Sequence, residues 1–204
     1  FLLYKGRQIY SNVLLSVYLA SQIIGILNGS LFLLNDYLLP GFVNLYFIGF
    51  PVIFAWVALY YMFICSLVDT RFRIKSYRWL HFLPFLVVLI ILSIQFYFVA
   101  PEEKLKLLDR SSEFYGTVRI LDILFSIQVV AYNVAVIVKY SNYRKRVKEL
   151  TNIRPEYDTW IRIAIFTFVI ACIITITGKV LGYFSIPMKV NSFFISDVAF
   201  LFFY

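Results

Sequence analysis

Three ionisable residues stand where ionisable residues are expensive. Asp122, Lys179 and Asp197 each fall inside an apolar stretch. A charge at membrane depth costs about 2.5–3.5 kcal/mol on insertion scales, so such a residue marks a functional site by default. Asp122 stands about four residues into its stretch, Lys179 about four before the end of the next, and Asp197 about six into the one after. At a rise of roughly 1.5 Å per residue, all three come within roughly 6–10 Å of the same membrane boundary on consecutive helices. The spacing predicts a charged pocket open to that side, suited to binding a ligand or sensing protonation. The plainer alternative is that Lys179 snorkels to the boundary while both aspartates stay interfacial.

Such a pocket needs spans to hold it. Five long apolar runs fill most of the chain, at 12–34, 42–68, 79–100, 118–138 and 159–183. A crossing of a hydrocarbon core about 30 Å thick takes roughly 20 apolar residues, and each run is long enough. Of the 204 residues, 62% are hydrophobic, whereas a soluble domain holds about 45–50%. Spanning backbone must satisfy its polar groups internally, and these runs are continuous rather than alternating in twos, so they read as helices and not as barrel strands. Segments 1–4 and 191–204 read as the tail and the head of two further spans. The expected fold is an all-α polytopic membrane bundle of the seven-span type, its first and last spans truncated, with residues 1–204 forming one transmembrane domain.

Charge gives the direction of threading. Thirteen of the nineteen Lys and Arg residues gather on one side: Lys5 and Arg7, four between Arg71 and Arg78, and seven between Lys139 and Arg162. The other six are Lys104, Lys106, Arg110, Arg119, Lys179 and Lys189. Cytoplasmic loops carry the excess of Lys and Arg, which places the amino end outside and the carboxyl end in the cytoplasm. Residues 101–117 then form an external loop, read as an amphipathic surface segment with a helix cap at Ser111 or Ser112. On the cytoplasmic side Arg144, Lys145, Arg146 and Lys148 make a basic helical extension, and anionic lipid attracts such a patch by about 1 kcal/mol per cation. Membrane lipid is therefore an expected partner, and the net charge of +8 is no sign of nucleic acid.

The remaining polar and small residues read as structural. Gly25 with Gly29, and Gly178 with Gly182, have the spacing that lets membrane helices approach closely. Pro51, His81 and Pro84 are assigned to packing, and Cys65 and Cys172 to buried apolar filling. Neither a metal-ligand set nor a Ser/His/Asp arrangement nor a phosphate loop is present in the sequence. No cofactor or enzymatic activity is expected.

The run Trp79-Leu80-His81-Phe82-Leu83-Pro84, preceded by the basic loop Arg71-Phe72-Arg73-Ile74-Lys75, resembles the Leu-His-Phe-Leu-Pro element in the multi-span sensor region of membrane-bound AraC-type bacterial transcription regulators. Lys5-Gly6-Arg7 with Ser11-Asn12, Gly49-Phe50-Pro51, the stretch from Tyr61 to Leu67, and Tyr143 to Lys148 followed by Trp160 are similar to other parts of that region. The likeness covers nearly the whole chain, much of it through apolar residues. Two departures stand out: Val57-Ala58 replaces a frequent Gly-Pro, and Cys65 replaces an arginine. The resemblance implies an input domain that passes an extracytoplasmic signal from a small ligand to a cytoplasmic helix-turn-helix module beyond Tyr204. A homodimer goes with it, since helix-turn-helix readers commonly bind paired half-sites. Residues 1–204 themselves contain no helix able to read bases.

Two other readings fit the same composition, an input domain for a sensor kinase or diguanylate cyclase, and a small membrane transporter. The threading is testable independently of all three. In intact cells a cysteine replacing Glu103 should react with a membrane-impermeant maleimide, and one replacing Lys145 only after the membrane is opened; the reverse pattern inverts the topology.

Overall fold

A computed structural model describes residues 6–33, 40–69, 72, 76–109, 111–148 and 155–183. Among the described residues the chain is helical, with no strand. The elements are α1 (Gly6–Leu33), a 3₁₀ turn (Pro40–Leu45), α2 (Phe50–Val68), a second 3₁₀ turn (Ser76–Phe82), α3 (Leu83–Leu92) continued by a π turn (Ser93–Tyr97), α4 (Pro101–Leu107), α5 (Glu113–Lys148) and α6 (Pro155–Tyr183). Five helical segments are long and apolar enough to cross a membrane: Tyr10–Ser30, Val43–Val68, Tyr77–Tyr97, Glu113–Arg146 and Asp158–Gly178. They fit a multi-pass membrane protein and follow the five runs read from the sequence. The two partial spans at 1–4 and 191–204 lie outside the described residues.

Two prolines explain where helices start. Pro51 and Pro84 each stand in the first turn of their helix, where the missing N–H would have had no intrahelical partner and the fixed φ is already helical. The second apolar run is consequently not one continuous helix. It breaks at residues 46–49, between the 3₁₀ turn and α2, and Phe47 takes a φ of +64° there. A non-glycine residue in this left-handed region costs about 1–2 kcal/mol, so neighbours must hold it. Ser112 caps α5, as one of the two expected caps: its Oγ accepts the Tyr115 N–H at 3.1 Å. Just before it, Asp109 accepts the Ser111 N–H at 3.0 Å, and that bond holds its carboxyl below the usual carboxylate range.

The core is built around α2. Helices α1, α3 and α5 pack on it directly, and Val57, Ala58, Tyr60 and Ile64 in its middle are fully buried. A helix apolar on every side belongs inside a bundle. In hydrocarbon, however, apolar contact alone gives helices no reason to associate, so close packing and hydrogen bonds must fix them. Those contacts are specific. Ser11 and Ser66 share a hydrogen bond of 2.8 Å between α1 and α2, and Gln128 Nε2 of α5 donates to the Phe54 carbonyl of α2 at 3.0 Å. Tyr60 stacks on Phe168 of α6 with centroids 3.7 Å apart and donates its hydroxyl to the Ala164 carbonyl at 3.3 Å.

His81 sits among aromatic residues of two other helices. Its Nδ1 lies 2.7 Å from the Tyr132 hydroxyl, and Tyr61 packs against both rings, tying the start of the third span to α2 and α5. At the same, basic end, Asp158 accepts from the Tyr140 hydroxyl at 2.9 Å and pairs with Arg144 at 3.7 Å and Arg162 at 3.4 Å. One carboxylate thus joins α5 to α6. Lys145 and Arg146 are exposed beside it, while the Lys148 side chain lies outside the described residues.

The tight approach of α1 to α2 is not at the predicted glycine pair. A Cβ on Gly25 would meet Ile53 at an ordinary 3.8 Å, and one on Gly29 would meet nothing within 4 Å. Gly178 is buried, and the side-chain position of Gly182 lies outside the described residues. The close contact is at Gly49, where a Cβ would fall 2.6 Å from Asn28 Cβ and 2.9 Å from the Ile24 carbonyl. Its N–H donates to Asn28 Oδ1 at 3.1 Å, so backbone and side chain are matched at that point. Gly49→Ala should destabilise the bundle by about 1–3 kcal/mol, the usual cost of overpacking, and Gly29→Ala by no more than about 0.5 kcal/mol. Unfolding titrations of the two variants in mixed micelles measure the difference; equal losses would show that the α1–α2 approach is elsewhere.

Candidate functional site

The three intramembrane charges are only partly within view. Asp122 lies half-buried in α5; the Lys179 side chain and the whole of Asp197 lie outside the described residues. The described part of the chain instead brings a different cation to prominence.

Lys104, expected in a solvated external loop, is buried. Only 4% of it is exposed, while the adjacent Leu105 is 46% exposed. Helix α4 therefore turns its lysine inward and a leucine outward, the inverse of the amphipathic surface segment expected here. Its geometry follows from Pro101 in the first turn and an extended Ala100, whose carbonyl accepts the N–H groups of Glu103 and Lys104, both at 3.0 Å. Docked against the 3₁₀ turn and the start of α5, the short helix has one face directed into the bundle, and Lys104 is on it.

The ammonium meets neutral acceptors. Nζ donates to Asn44 Oδ1 at 2.7 Å and to the Tyr97 carbonyl at 3.1 Å, and lies 5.4 Å from the centre of the Phe96 ring. An ammonium has three donors, and two find oxygen. The partners found for the ammonium are an amide oxygen and a carbonyl, both neutral, and no described carboxylate pairs with Lys104. Desolvating an ammonium costs several kcal/mol even after the protein relaxes, and one aromatic face returns about 1–2 kcal/mol of that. The site holds more positive charge than its own residues balance.

That charge borders a cleft of about 400 Å³ lined by Asn44, Ile48, Leu89, Tyr97 and Lys104. The volume is within the range of pockets that hold small ligands. The wall is largely apolar, with the ammonium, one amide and Tyr97 as its polar groups. Such an arrangement suits recognition of an anion. Among the described residues no group of three or more His, Cys, Asp or Glu side chains could hold a metal ion.

Aromatic packing connects the cleft to the rest of the bundle. The Tyr97 hydroxyl donates to the Phe47 carbonyl at 2.7 Å, gripping the residue whose backbone is left-handed. Phe47 packs edge-on against Phe96 at 5.2 Å and Phe114 at 5.4 Å, and Phe96 stacks on Phe114 at 5.2 Å. Phe114 is the second residue of α5. One turn of backbone, one π turn and the start of the longest helix thus share a single cluster beside Lys104.

Sequence reasoning missed Lys104 because Glu102, Glu103 and Lys106 around it mark an exposed segment. One signal was available: Pro101 and a cap at Ser111 or Ser112 leave room for a helix of about ten residues or fewer, too short to stand alone, so it had to dock through some side chain. Tyr97→Phe, which removes the hydrogen bond to Phe47 and leaves the ring in place, should cost about 0.5–1.5 kcal/mol of stability. Unfolding in mixed micelles measures it, and an unchanged midpoint would mean that Phe47 is held without it. In comparisons with known proteins, no family model, curated protein or solved structure matches the chain.

Proposed function

We propose that the chain is the signal-sensing input domain of a membrane-bound AraC-type transcriptional regulator, receiving a small ligand on the outer side of a bacterial inner membrane. The observation that supports this most is α5. It runs unbroken for 36 residues, or about 54 Å at 1.5 Å per residue, against about 30 Å of hydrocarbon. Its first turn sits in the Phe47–Phe96–Phe114 cluster beside the Lys104 cleft, and its last turns carry Arg144, Lys145 and Arg146. A change at one end is delivered to the other by a single rigid element. On the positive-inside rule the cleft faces outward and the basic turns face the cytoplasm.

The Leu80-to-Pro84 element and the basic connection before α6 supply the family reading, with a helix-turn-helix module following the chain, a homodimer as the working form and membrane lipid around it. The domain itself carries out no reaction and contacts no nucleic acid. A ligand acts by differential affinity for two arrangements of the helices, and α5 with the Asp158 junction conveys the outcome inward. A kinase or cyclase output would use the same rod, whereas a transporter is disfavoured. The broken span interrupts at its Lys104 end, and the 19 residues of α2 that remain nearly span the core alone, unlike the midplane breaks of transporters.

Spin labels on cysteines replacing Trp79 and Arg146, both exposed at the basic end, report the coupling in the full-length protein in nanodiscs. Extracts of growth medium, added in fractions, should include one that changes the distance between them by about 1–2 Å or more, the scale of helix shifts in switching proteins. Ala131→Pro, which interrupts α5 on its exposed side, should abolish the change without preventing insertion. Labels indifferent to every fraction, with solute uptake by vesicles carrying the protein, would replace the receptor by a transporter.

A further inference from the structure

Buried charges in proteins are paired or neutralised, and Lys104 is buried with neutral partners among the described residues. We propose that the cleft beside Lys104 is a ligand site for a small organic anion, a carboxylate on a short apolar body, whose headgroup pairs with the lysine ammonium. Three independent features of the site agree. The ammonium has a donor not taken by Asn44 or Tyr97, and its remaining neighbour is the Phe96 ring face. A cleft of about 400 Å³ borders it, whereas a lysine kept for packing needs no space beside it. The walls beyond the ammonium are Ile48 and Leu89, apolar surface that a hydrocarbon body would cover and a fully hydrated inorganic ion would not.

The anion would join the cluster at a sensitive place. Tyr97 supplies its carbonyl to Lys104 and its hydroxyl to Phe47, so recruiting the ammonium toward a ligand loosens a bond to the residue that also grips the left-handed turn. Phe47 in turn touches Phe114 at the start of α5. A free carboxylate from the medium and an acidic lipid of the surrounding leaflet present the same chemistry. The assignment of ligand class deepens the receptor reading and relies on it for the side of approach.

Full-length protein in nanodiscs of phosphatidylcholine alone, titrated with octanoate and in parallel with octanol, tests this by thermal unfolding followed through tryptophan fluorescence. Octanoate should raise the melting temperature with the logarithm of its concentration, as binding to the folded state requires, and octanol should not. Lys104→Met should weaken octanoate binding by roughly tenfold to a hundredfold, the share of one charge-assisted hydrogen bond. Ile48→Trp, which fills the cleft and leaves the lysine in place, should weaken it as much, and it serves as the deciding variant if Lys104→Met does not fold. Repeating the titration with phosphatidylglycerol in the disc identifies the source: an octanoate response suppressed there, but not in phosphatidylcholine, means that an acidic lipid occupies the same site. Equal responses to octanol and octanoate, or a response that survives both substitutions, overturn the proposal. Octanoate binding that leaves the Trp79 and Arg146 labels unmoved would keep the site and remove the receptor. An extract that moves the labels in Lys104→Met would do the opposite.

Discussion

A helix surrounded by lipid gains nothing from pressing leucine against leucine, because the tails it leaves are as apolar as the neighbour it meets. Every other feature of this bundle depends on how α2 meets that constraint. It is packed by other helices around most of its circumference, and three of those helices are fixed by contacts that lipid cannot imitate. Ser66 meets a hydroxyl on α1, the Phe54 carbonyl meets an amide on α5, and Tyr60 meets both a ring and a carbonyl on α6. At its Phe50 end the backbone of Gly49 comes so near α1 that no side chain fits between them. The helices around α2 take their places from it, and the residues they turn outward, such as Ile90, Ile120 and Ile127, are those that hydrocarbon would solvate.

The two ends of the bundle are organised differently. At the basic end a single carboxylate, Asp158, receives a phenol and two guanidinium groups, so positive charge there is abundant and partly neutralised. At the other end a single ammonium is buried among an amide, a carbonyl and a ring. Excess charge at an exposed end is solvated or met by lipid headgroups. Excess charge in an interior is not, and that asymmetry distinguishes the two ends.

Much of the fold was legible in the sequence because the relevant signals are local. Continuous apolar runs mark the five spans, within about five residues for four of them and eight short at the Arg146 end of the longest, Pro51 and Pro84 stand at helix starts, and Ser112 before Glu113 is a cap. What was hidden depends on contacts between distant residues. Gly25 and Gly29 have the familiar spacing for helix approach, but the side of α1 that meets α2 closely is set by Asn28 and Ile24 against Gly49, a pairing that spacing within one helix cannot report. In sequence Lys104 stands among the solvated Glu102, Glu103 and Lys106; its neighbours in space are Asn44, Phe96 and Tyr97. The break at Phe47 has no sequence marker, since phenylalanine is a poor residue for a left-handed turn and is held there by the rings of Phe96 and Phe114 and the hydroxyl of Tyr97. Asp122 remains a charge within a span, and the side chain of Lys179 and the whole of Asp197 lie outside the described residues.

The π turn at Ser93–Tyr97 carries a consequence for how this chain tolerates change in length. Such a turn accommodates one residue more than an α-helix would, the Phe98 N–H reaching back to the Ser93 carbonyl at 3.2 Å. Successive residues of an α-helix are rotated by about 100° around the axis. Loss of one residue within the π turn would therefore only relax it to an α turn, with Tyr97 kept near Phe47, whereas loss of one from α3 before it would leave the span long enough to cross the bilayer while swinging Tyr97 away by roughly a quarter of a circle. Hydropathy would be indifferent to that deletion. The aim of the tyrosine is recorded in the count of residues before it, a register that drift in apolar composition leaves untouched and a single codon lost erases.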